Sequence, residues 1–366
     1  MSSKVMSLHD AVAKYVENGD VLALGGFTTN RKPYASVMEI LRQGQKDFIA
    51  YAGPGGGDID MLIGEGRVAA YINCYTANSG YTNVSRRFRA AIEQGKLTYE
   101  DYSQDVLMLM LHAASLGLPF LPVRLMQGSG LMKYWGISEE KRKSMPKMED
   151  LKCAEIENPL VPGQKVVAVP VPKIDTALIH VQQASPDGTC IIMGDEFHDI
   201  DIAVAARKVI VTCEEIVSDE YIRRDPTLTR IFGECVDAVV KAPYGAWPAQ
   251  CYNYYDDDDK GLKEYDKASK YQDTADAVAQ LKKAAVKAQK AADAKPEDAK
   301  LAEAAAKAAK AAADAESGAL VPETFEDYLN KWVYGCKDQA DLLDLIGGSR
   351  LMRLKNEPHL GYSTTH

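Results

Sequence analysis

Asn18-Gly19-Asp20-Val21-Leu22-Ala23-Leu24-Gly25-Gly26-Phe27-Thr28-Thr29 decides how the chain is read. A short apolar strand ends abruptly in two glycines and then two hydroxyl residues. Glycine lets the backbone approach a ligand closely and tolerates unusual dihedrals. At the carboxyl end of a strand, the edge where open α/β sheets bind ligands, Gly25, Gly26 and Phe27 would present bare N–H groups. Such groups suit an oxyanion; a plain tight turn accounts for the same letters. Thr28 and Thr29 extend the choice, as ligand donors or as hydroxyls that satisfy the turn.

Working outward, Ser7-x-x-Asp10 is a capping box that opens a helix. Ala11, Val12, Tyr15 and Val16 keep helical spacing, and Gly19 ends it. Beyond the turn, Val37, Met38 and Leu41 mark a helix over 34–43. Strand and helix signals alternate to about residue 125. Residues 135–163 read as a long polar surface excursion, and strands resume at 165–171, 176–181, 209–212 and 238–241. Runs apolar on both faces are those of buried parallel strands. The expected fold is therefore α/β, an open, mostly parallel sheet flanked by helices.

Composition narrows the function. The chain has 366 residues, 46% of them hydrophobic, and a net charge of −9. That acidity argues against nucleic acid as a partner, since a phosphate backbone needs a basic footprint. No apolar run spans a bilayer and the first ten residues hold no signal-peptide core, so membrane and secretory roles are not expected. Seven cysteines, Cys74, Cys153, Cys190, Cys213, Cys235, Cys251 and Cys336, stand singly. This fits reduced thiols in a cytoplasmic protein, with no zinc site. No histidine pair has metal-ligand spacing. His180 in an apolar strand and His112 on an apolar helix read as core histidines, and Asp256–Asp259 as a solvated acidic turn.

Residues 274–318 are dominated by Ala, Lys and acidic side chains. These are helix formers with little apolar surface to bury, so a solvated helical hairpin broken near Lys295-Pro296, or partial disorder, is expected. The chain thus divides into 1–273 as the α/β domain, 274–318 as an insertion, and 319–366 as a helix and tail packing on the main domain. Phe325, Tyr328, Leu329 and Trp332 form the apolar face of that helix.

Taken together, several stretches resemble the α-subunits of family I CoA-transferases. The opening stretch continues through Asn30-Arg31-Lys32-Pro33-Tyr34. The likeness extends through Tyr71-Ile72-Asn73-Cys74-Tyr75-Thr76-Ala77-Asn78-Ser79-Gly80 and Asn83-Val84-Ser85-Arg86-Arg87-Phe88-Arg89. It goes on through Leu118-Pro119-Phe120-Leu121-Pro122-Val123, Gln127-Gly128-Ser129-Gly130 and Gln182-Gln183-Ala184-Ser185-Pro186-Asp187-Gly188-Thr189. Nearly all of 4–270 takes part, and 323–362 more loosely. Segment 274–318 is the part such a family is expected to lack.

The resemblance implies an enzyme that moves CoA from an acyl-CoA, acetyl-CoA in particular, to a short dicarboxylate such as glutaconate. CoA and acetyl-CoA are then substrates, and no cofactor is permanently bound. It also implies a partner β-subunit that carries the nucleophilic glutamate. Two places here imitate that glutamate's setting: Glu17-Asn18-Gly19, at a helix end, and Glu65-Gly66, in a glycine-rich turn. Neither has the full motif. This chain's share is the other half of the site. Gly25, Gly26 and Phe27 become oxyanion donors. Thr28, Thr29, Arg31, Asn78, Ser79, Gly80, Gly128, Ser129 and Gln182 become substrate-binding candidates. Arg31 is read either as a bidentate carboxylate clamp or as a solvated surface arginine. Two other readings remain: an acyl-CoA hydrolase or ring-opening subunit of the same fold, and a non-catalytic acyl-CoA-binding subunit.

Overall fold

The computed structural model describes residues 3–357, so the last part of the helix and tail expected over 319–366, residues 358–366, lies outside the described residues. Two compact units are distinguished: Met1–Leu262 with Lys337–His366, and Lys263–Cys336.

In the first unit the leading strands are β1 (Val21–Leu24), β2 (Phe48–Ala52), β3 (Val68–Asn73) and β4 (Thr98–Asp101). They pair side by side in parallel, in chain order outward from β1. The chain then leaves the sheet. β5 (Phe120–Val123), β6 (Ala154–Glu157) and β7 (Lys165–Pro170) form a separate antiparallel sheet in the order β5-β7-β6. It returns as β8 (Thr176–Ala184), parallel to β1 on the side away from β2. After β9 (Cys190–Ile191) come β10 (Lys208–Ile216), β11 (Thr229–Ile231) and β12 (Ala238–Lys241). β10 lies parallel to both β8 and β12, whereas β9 runs antiparallel to β8 and β11 to β9. The result is a nine-stranded, mostly parallel sheet with helices around it, as the alternating pattern predicts. β1 and β8 are neighbours from which the chain departs in opposite directions, and a crevice at their carboxyl ends is where such sheets take ligands.

The burial pattern explains the parallel pairing. β1, β2 and β8 are buried along their whole length, with no polar face to turn to water. Two expectations are corrected. The strand at 165–171 belongs to the small antiparallel sheet, not the main one. The excursion 135–163 is more than surface, because Arg142 and Lys152 plunge inward onto Glu100 of β4. All three side chains are at most 2% exposed. One carboxylate between two cations thus ties the excursion to the edge of the sheet.

In the second unit, helices Thr274–Asp293 and Ala299–Glu316 form a hairpin separated by a break that contains Pro296. Ala277, Ala305, Ala312 and Ala315 are buried, so small methyl groups let the helices approach closely. Lys282 reaches across to Glu316 at 2.6 Å. The segment expected as an insertion is here part of a larger unit that begins at Lys263. In it, Tyr265 packs against Tyr328 (5.2 Å between ring centroids) and Phe325 (6.4 Å).

Removing one member of a buried ionic cluster leaves the others uncompensated, at a cost of about 3–5 kcal/mol. Glu100→Ala is expected to lose that much stability in urea unfolding of the purified protein, whereas Glu155→Ala, whose partner Lys165 is exposed, is expected to lose less than about 1 kcal/mol.

Candidate active site

β1 stops at Leu24 while β8 runs on for six more residues beyond their last paired position, Leu24 with Leu178. Gly25 N–H makes the final ladder bond, 2.9 Å to the Leu178 carbonyl. The next carbonyl along β8 on that side, that of His180, accepts from the Arg31 guanidinium at 3.1 Å. The side chain therefore stands in for the missing strand. Gly26 N–H turns aside to Asp199 Oδ1 at 2.7 Å. The other Asp199 oxygen binds Arg31, whose remaining reach goes to the Asp195 carbonyl. Arg31 and Asp199 are both fully enclosed. His198 completes the seal, with Nε2 donating to the Leu24 carbonyl at 2.9 Å; burial lowers its pKa and favours the neutral ring.

Glycine is required here by space. A Cβ on Gly25 would lie 2.5 Å from Asp199 Oδ1. Gly26 has φ +74°, and its Cβ would lie 2.6 Å from the Asn30 and Arg31 carbonyls. Thr28 (φ 49°) and Arg31 (φ 52°) also adopt left-handed backbone, which costs a side-chain-bearing residue energy and is held only where surroundings impose it.

These bonds revise the expected donors. The N–H groups of Gly25, Gly26 and Phe27 are all taken, the last by Asn30 O at 2.9 Å. They shape the turn but do not face a ligand. Among the described residues, the amides left without a partner at this turn are those one step further on, Thr28 and Thr29. The Thr29 hydroxyl is itself committed to Asp257 Oδ2 at 3.2 Å. Arg31 is neither a surface arginine nor a clamp for a substrate carboxylate, since its guanidinium is fully buried with both terminal nitrogens bound inside the fold.

Two more loops meet this turn. After β2 the chain runs Gly53-Pro54-Gly55-Gly56-Gly57 into the helix Gly57–Gly64, and after β3 it runs through Cys74 to Gly80. Gly55 and Thr76 form a bridge that prolongs the β2–β3 pairing. A Cβ on Gly56 would lie 2.9 Å from Asn78 Oδ1 and 3.2 Å from the Thr28 carbonyl, so the three loops touch. Asn78 Oδ1 accepts from Gly57 N–H at 2.8 Å, and its Nδ2 has no partner among the described residues. Ser79 is half-buried, its hydroxyl 3.4 Å from the Tyr75 hydroxyl, and Gly80 is exposed with φ +85°. Behind the turn, buried Lys32 lies 3.3 and 3.4 Å from the Gly25 and Gly26 carbonyls and 3.6 Å from Asp58.

Other expected site residues are placed elsewhere. Gln182 is fully buried and straps Met193 to the Tyr252 carbonyl. Ser129 Oγ donates to Met126 O at 2.7 Å, and the adjacent Gln127 holds the Lys165 carbonyl, so Gly128-Ser129 belongs to the small sheet's surroundings. Glu17 and Glu65 precede the amino ends of β1 and β3, the edge opposite the turn. His180 is a satisfied core histidine, bonded to Thr212 and Glu214. With Glu214 and Cys251 it makes a group close enough for a metal. However, both Glu214 oxygens carry hydrogen bonds, and burial pushes the Cys251 thiol well up. His112 is exposed and pairs with Asp201 at 2.8 Å, contrary to expectation.

Asp256–Asp259 is not simply a solvated turn either. Asp258 is 3% exposed and binds Trp247 Nε1 and Arg350, each at 2.6 Å. Asp257, next to Thr29, is pushed up to about 6, chiefly by burial and further by Asp256.

Comparison with known proteins places this arrangement. A family model for coenzyme A transferase matches residues 5–242. The α-subunit of glutaconate CoA-transferase of Acidaminococcus fermentans is 55% identical over 360 residues, which cover 98% of this chain and 97% of that protein. The crystal structure of glutaconate coenzyme A-transferase from that organism superimposes with a TM-score of 0.82, covering 99% of this chain and 98% of that one. The decarboxylase AibA/AibB, 31% identical, superimposes with a TM-score of 0.60 over 71% of this chain and 91% of its own. The chain belongs to the coenzyme A transferase family, as the sequence resemblance implies. Since 97% of the Acidaminococcus protein is matched by 98% of this chain, the expectation that relatives lack segment 274–318 does not hold for that protein.

The crowding at Gly25 and the burial of Asp257 are both open to measurement. Gly25→Ala forces the Asp199 carboxylate aside and is expected to cost about 1–3 kcal/mol, read by urea unfolding. Asp257 has a folded pKa above its ordinary 3.8, so the stability it contributes is complete below 3.8 and is lost as pH rises through about 6. A series of unfolding midpoints from pH 4 to 7 is expected to show that loss, and Asp257→Asn to remove it.

Proposed function

We propose that this chain is the α-subunit of a two-subunit CoA-transferase that exchanges CoA between an acyl-CoA and a short dicarboxylate. Acetyl-CoA is the donor and glutaconate the leading acceptor, as the name of the Acidaminococcus relative suggests. One observation carries the reading. Among the described residues the turn offers two unpaired amides, and four carboxylates of the loops around it are already held. Asp199 is bound by Gly26 and Arg31, Asp58 by Gly56 and Lys32, Asp60 by Arg87 and Phe88, and Asp257 by Thr29 and Gln250. An electrophile seated on those amides would then meet its nucleophile from outside, the role this reading gives to a glutamate on a partner chain.

The chemistry then runs as acyl transfer. The partner's carboxylate attacks the thioester carbonyl, and the oxygen that gains negative charge is held by the Thr28 and Thr29 amides. CoA leaves as a thiolate, giving an acyl–glutamyl anhydride. The thiolate attacks the glutamyl carbonyl, releases the donor carboxylate, and leaves a glutamyl–CoA thioester. The acceptor acid reverses both steps. On this reading the Asn78 amide nitrogen and the Ser79 backbone and hydroxyl would receive the distal carboxylate. No resident cofactor is needed. Among the described residues no helix is long and apolar enough to cross a membrane, and the free cysteines agree with a cytoplasmic setting.

The test is the pair purified together, given acetyl-CoA and glutaconate, with products followed by mass spectrometry. Glutaconyl-CoA and acetate are expected in equal amounts, and none from this chain alone. CoA release that ignores the acceptor would favour a hydrolase. Turnover by the single chain, with CoA trapped on one of its own glutamates, would overturn the proposal.

A further inference from the structure

Asp257 is 228 residues from Thr29 in sequence, yet it holds the turn on which the transferase chemistry depends. Asp257 Oδ2 accepts the Thr29 hydroxyl at 3.2 Å. Asp257 Oδ1 accepts Gln250 N–H at 2.9 Å, and the same N–H reaches the Thr29 carbonyl at 2.8 Å. Gln250 in turn accepts Arg31 N–H at 2.8 Å through its carbonyl. The turn is thus gripped from two sides. Arg31 and Asp199 hold its root, where β1 ends. Asp257 and Gln250 hold its tip, where the unpaired amides are.

The tip needs such a grip. Thr28 sits at φ 49°, a conformation its own backbone disfavours, and its amide gains nothing from an internal hydrogen bond. Left to itself, the turn would relax and rotate those amides. The Asp257 carboxyl is well placed to prevent this without touching a substrate, because both its oxygens are spent on the turn and on Gln250. Asp257 also lines a cavity of about 710 Å³ shared with Lys260, Arg350 and Arg353.

We propose that Asp257 is a positioning residue for CoA transfer: through Thr29 and Gln250 it fixes the Thr28 and Thr29 amides in the orientation that receives the thioester oxygen. This rests on the transferase reading above. The role is orientation, not charge. A group that aligns oxyanion donors acts on the transition state and leaves substrate affinity nearly unchanged.

The experiment is a double-mutant cycle in the assembled two-subunit enzyme, with kcat and KM for acetyl-CoA measured at pH 7.5 and assembly checked by gel filtration. Asp257→Ala is expected to lower kcat at least ten-fold with KM within two-fold. Thr29→Val is expected to do the same, and the double variant to be no worse than the poorer single one, because both break one linkage. Asp257→Asn can still accept from Gln250 and can donate to the Thr29 oxygen, so it is expected to return kcat to within three-fold of wild type. The proposal is overturned if Asp257→Ala leaves kcat unchanged, if the two losses multiply, or if Asn is as poor as Ala. Wild-type enzyme that forms no glutaconyl-CoA would instead refute the transferase reading. The cycle would then be read on whichever CoA-releasing activity the pair shows.

Discussion

A fully buried guanidinium takes the place of a strand residue, and the geometry of the ligand-facing edge descends from that substitution. β8 is nine residues long and β1 only four, so β8 has backbone acceptors that β1 does not reach. Buried carbonyls left without donors are costly. Arg31 answers the nearest of them, at His180, from a position seven residues beyond the strand's end. To do so, the intervening chain must double back within a handful of residues. This is why Gly26 and Arg31 take left-handed backbone and why Phe27 and Asn30 close on one another. An arginine so deep also needs its charge met, and Asp199 supplies it while collecting the amide of Gly26.

Such a pair contributes little net stability, since desolvating two ions offsets most of their attraction. Its value is in specifying one arrangement. With Gly25, Gly26 and Phe27 all bonded inward, the backbone donors remaining at this turn are those of Thr28 and Thr29, held at a fixed place beside Gly56 and Asn78. The strand's end is over-determined, and the residues after it are free to face a ligand.

Much of the fold is legible in the sequence for a physical reason. Buried parallel strands need apolar residues on both faces, and Val21–Leu24, Thr176–Val181 and Val209–Thr212 announce this locally. The glycine pair is equally legible, because no other residue fits where Asp199 and the Arg31 carbonyl press on it. The functions of those glycines are not legible. Whether an amide is free depends on acceptors far away in sequence: Leu178 for Gly25, and Asp199, 173 residues on, for Gly26. Arg31 likewise looks like a surface or ligand arginine until its distant partners are known, and Asp257 looks like one of four solvated acids. The loop Gly53-Pro54-Gly55-Gly56-Gly57 carries a local signal of its own, a glycine-rich strand-to-helix junction of the kind that lets other backbone approach closely, and it is a site feature that letters alone could have added to those expected. The strand at 165–171 shows the opposite limit, because an apolar β run does not state which sheet it joins.

The division of labour also follows from electrostatics. Had a free carboxylate of this chain stood beside the Thr28 and Thr29 amides, it would have taken them as hydrogen-bond donors, as Asp199 took the amide of Gly26. An oxyanion site and its attacking acid are competitors for the same donors when both belong to one rigid body. In the proposed mechanism, bringing the acid in on a second polypeptide, and the oxygen in on the substrate, would keep the amides unbonded until the acyl group arrives. Lys32 adds to this without competing, because its ammonium rests against the Gly25 and Gly26 carbonyls behind the turn and is balanced by Asp58. On the proposed reading the site would be poised for an incoming negative oxygen, since Asp199, Asp58 and Asp257 are already engaged by groups of the turn and its surroundings.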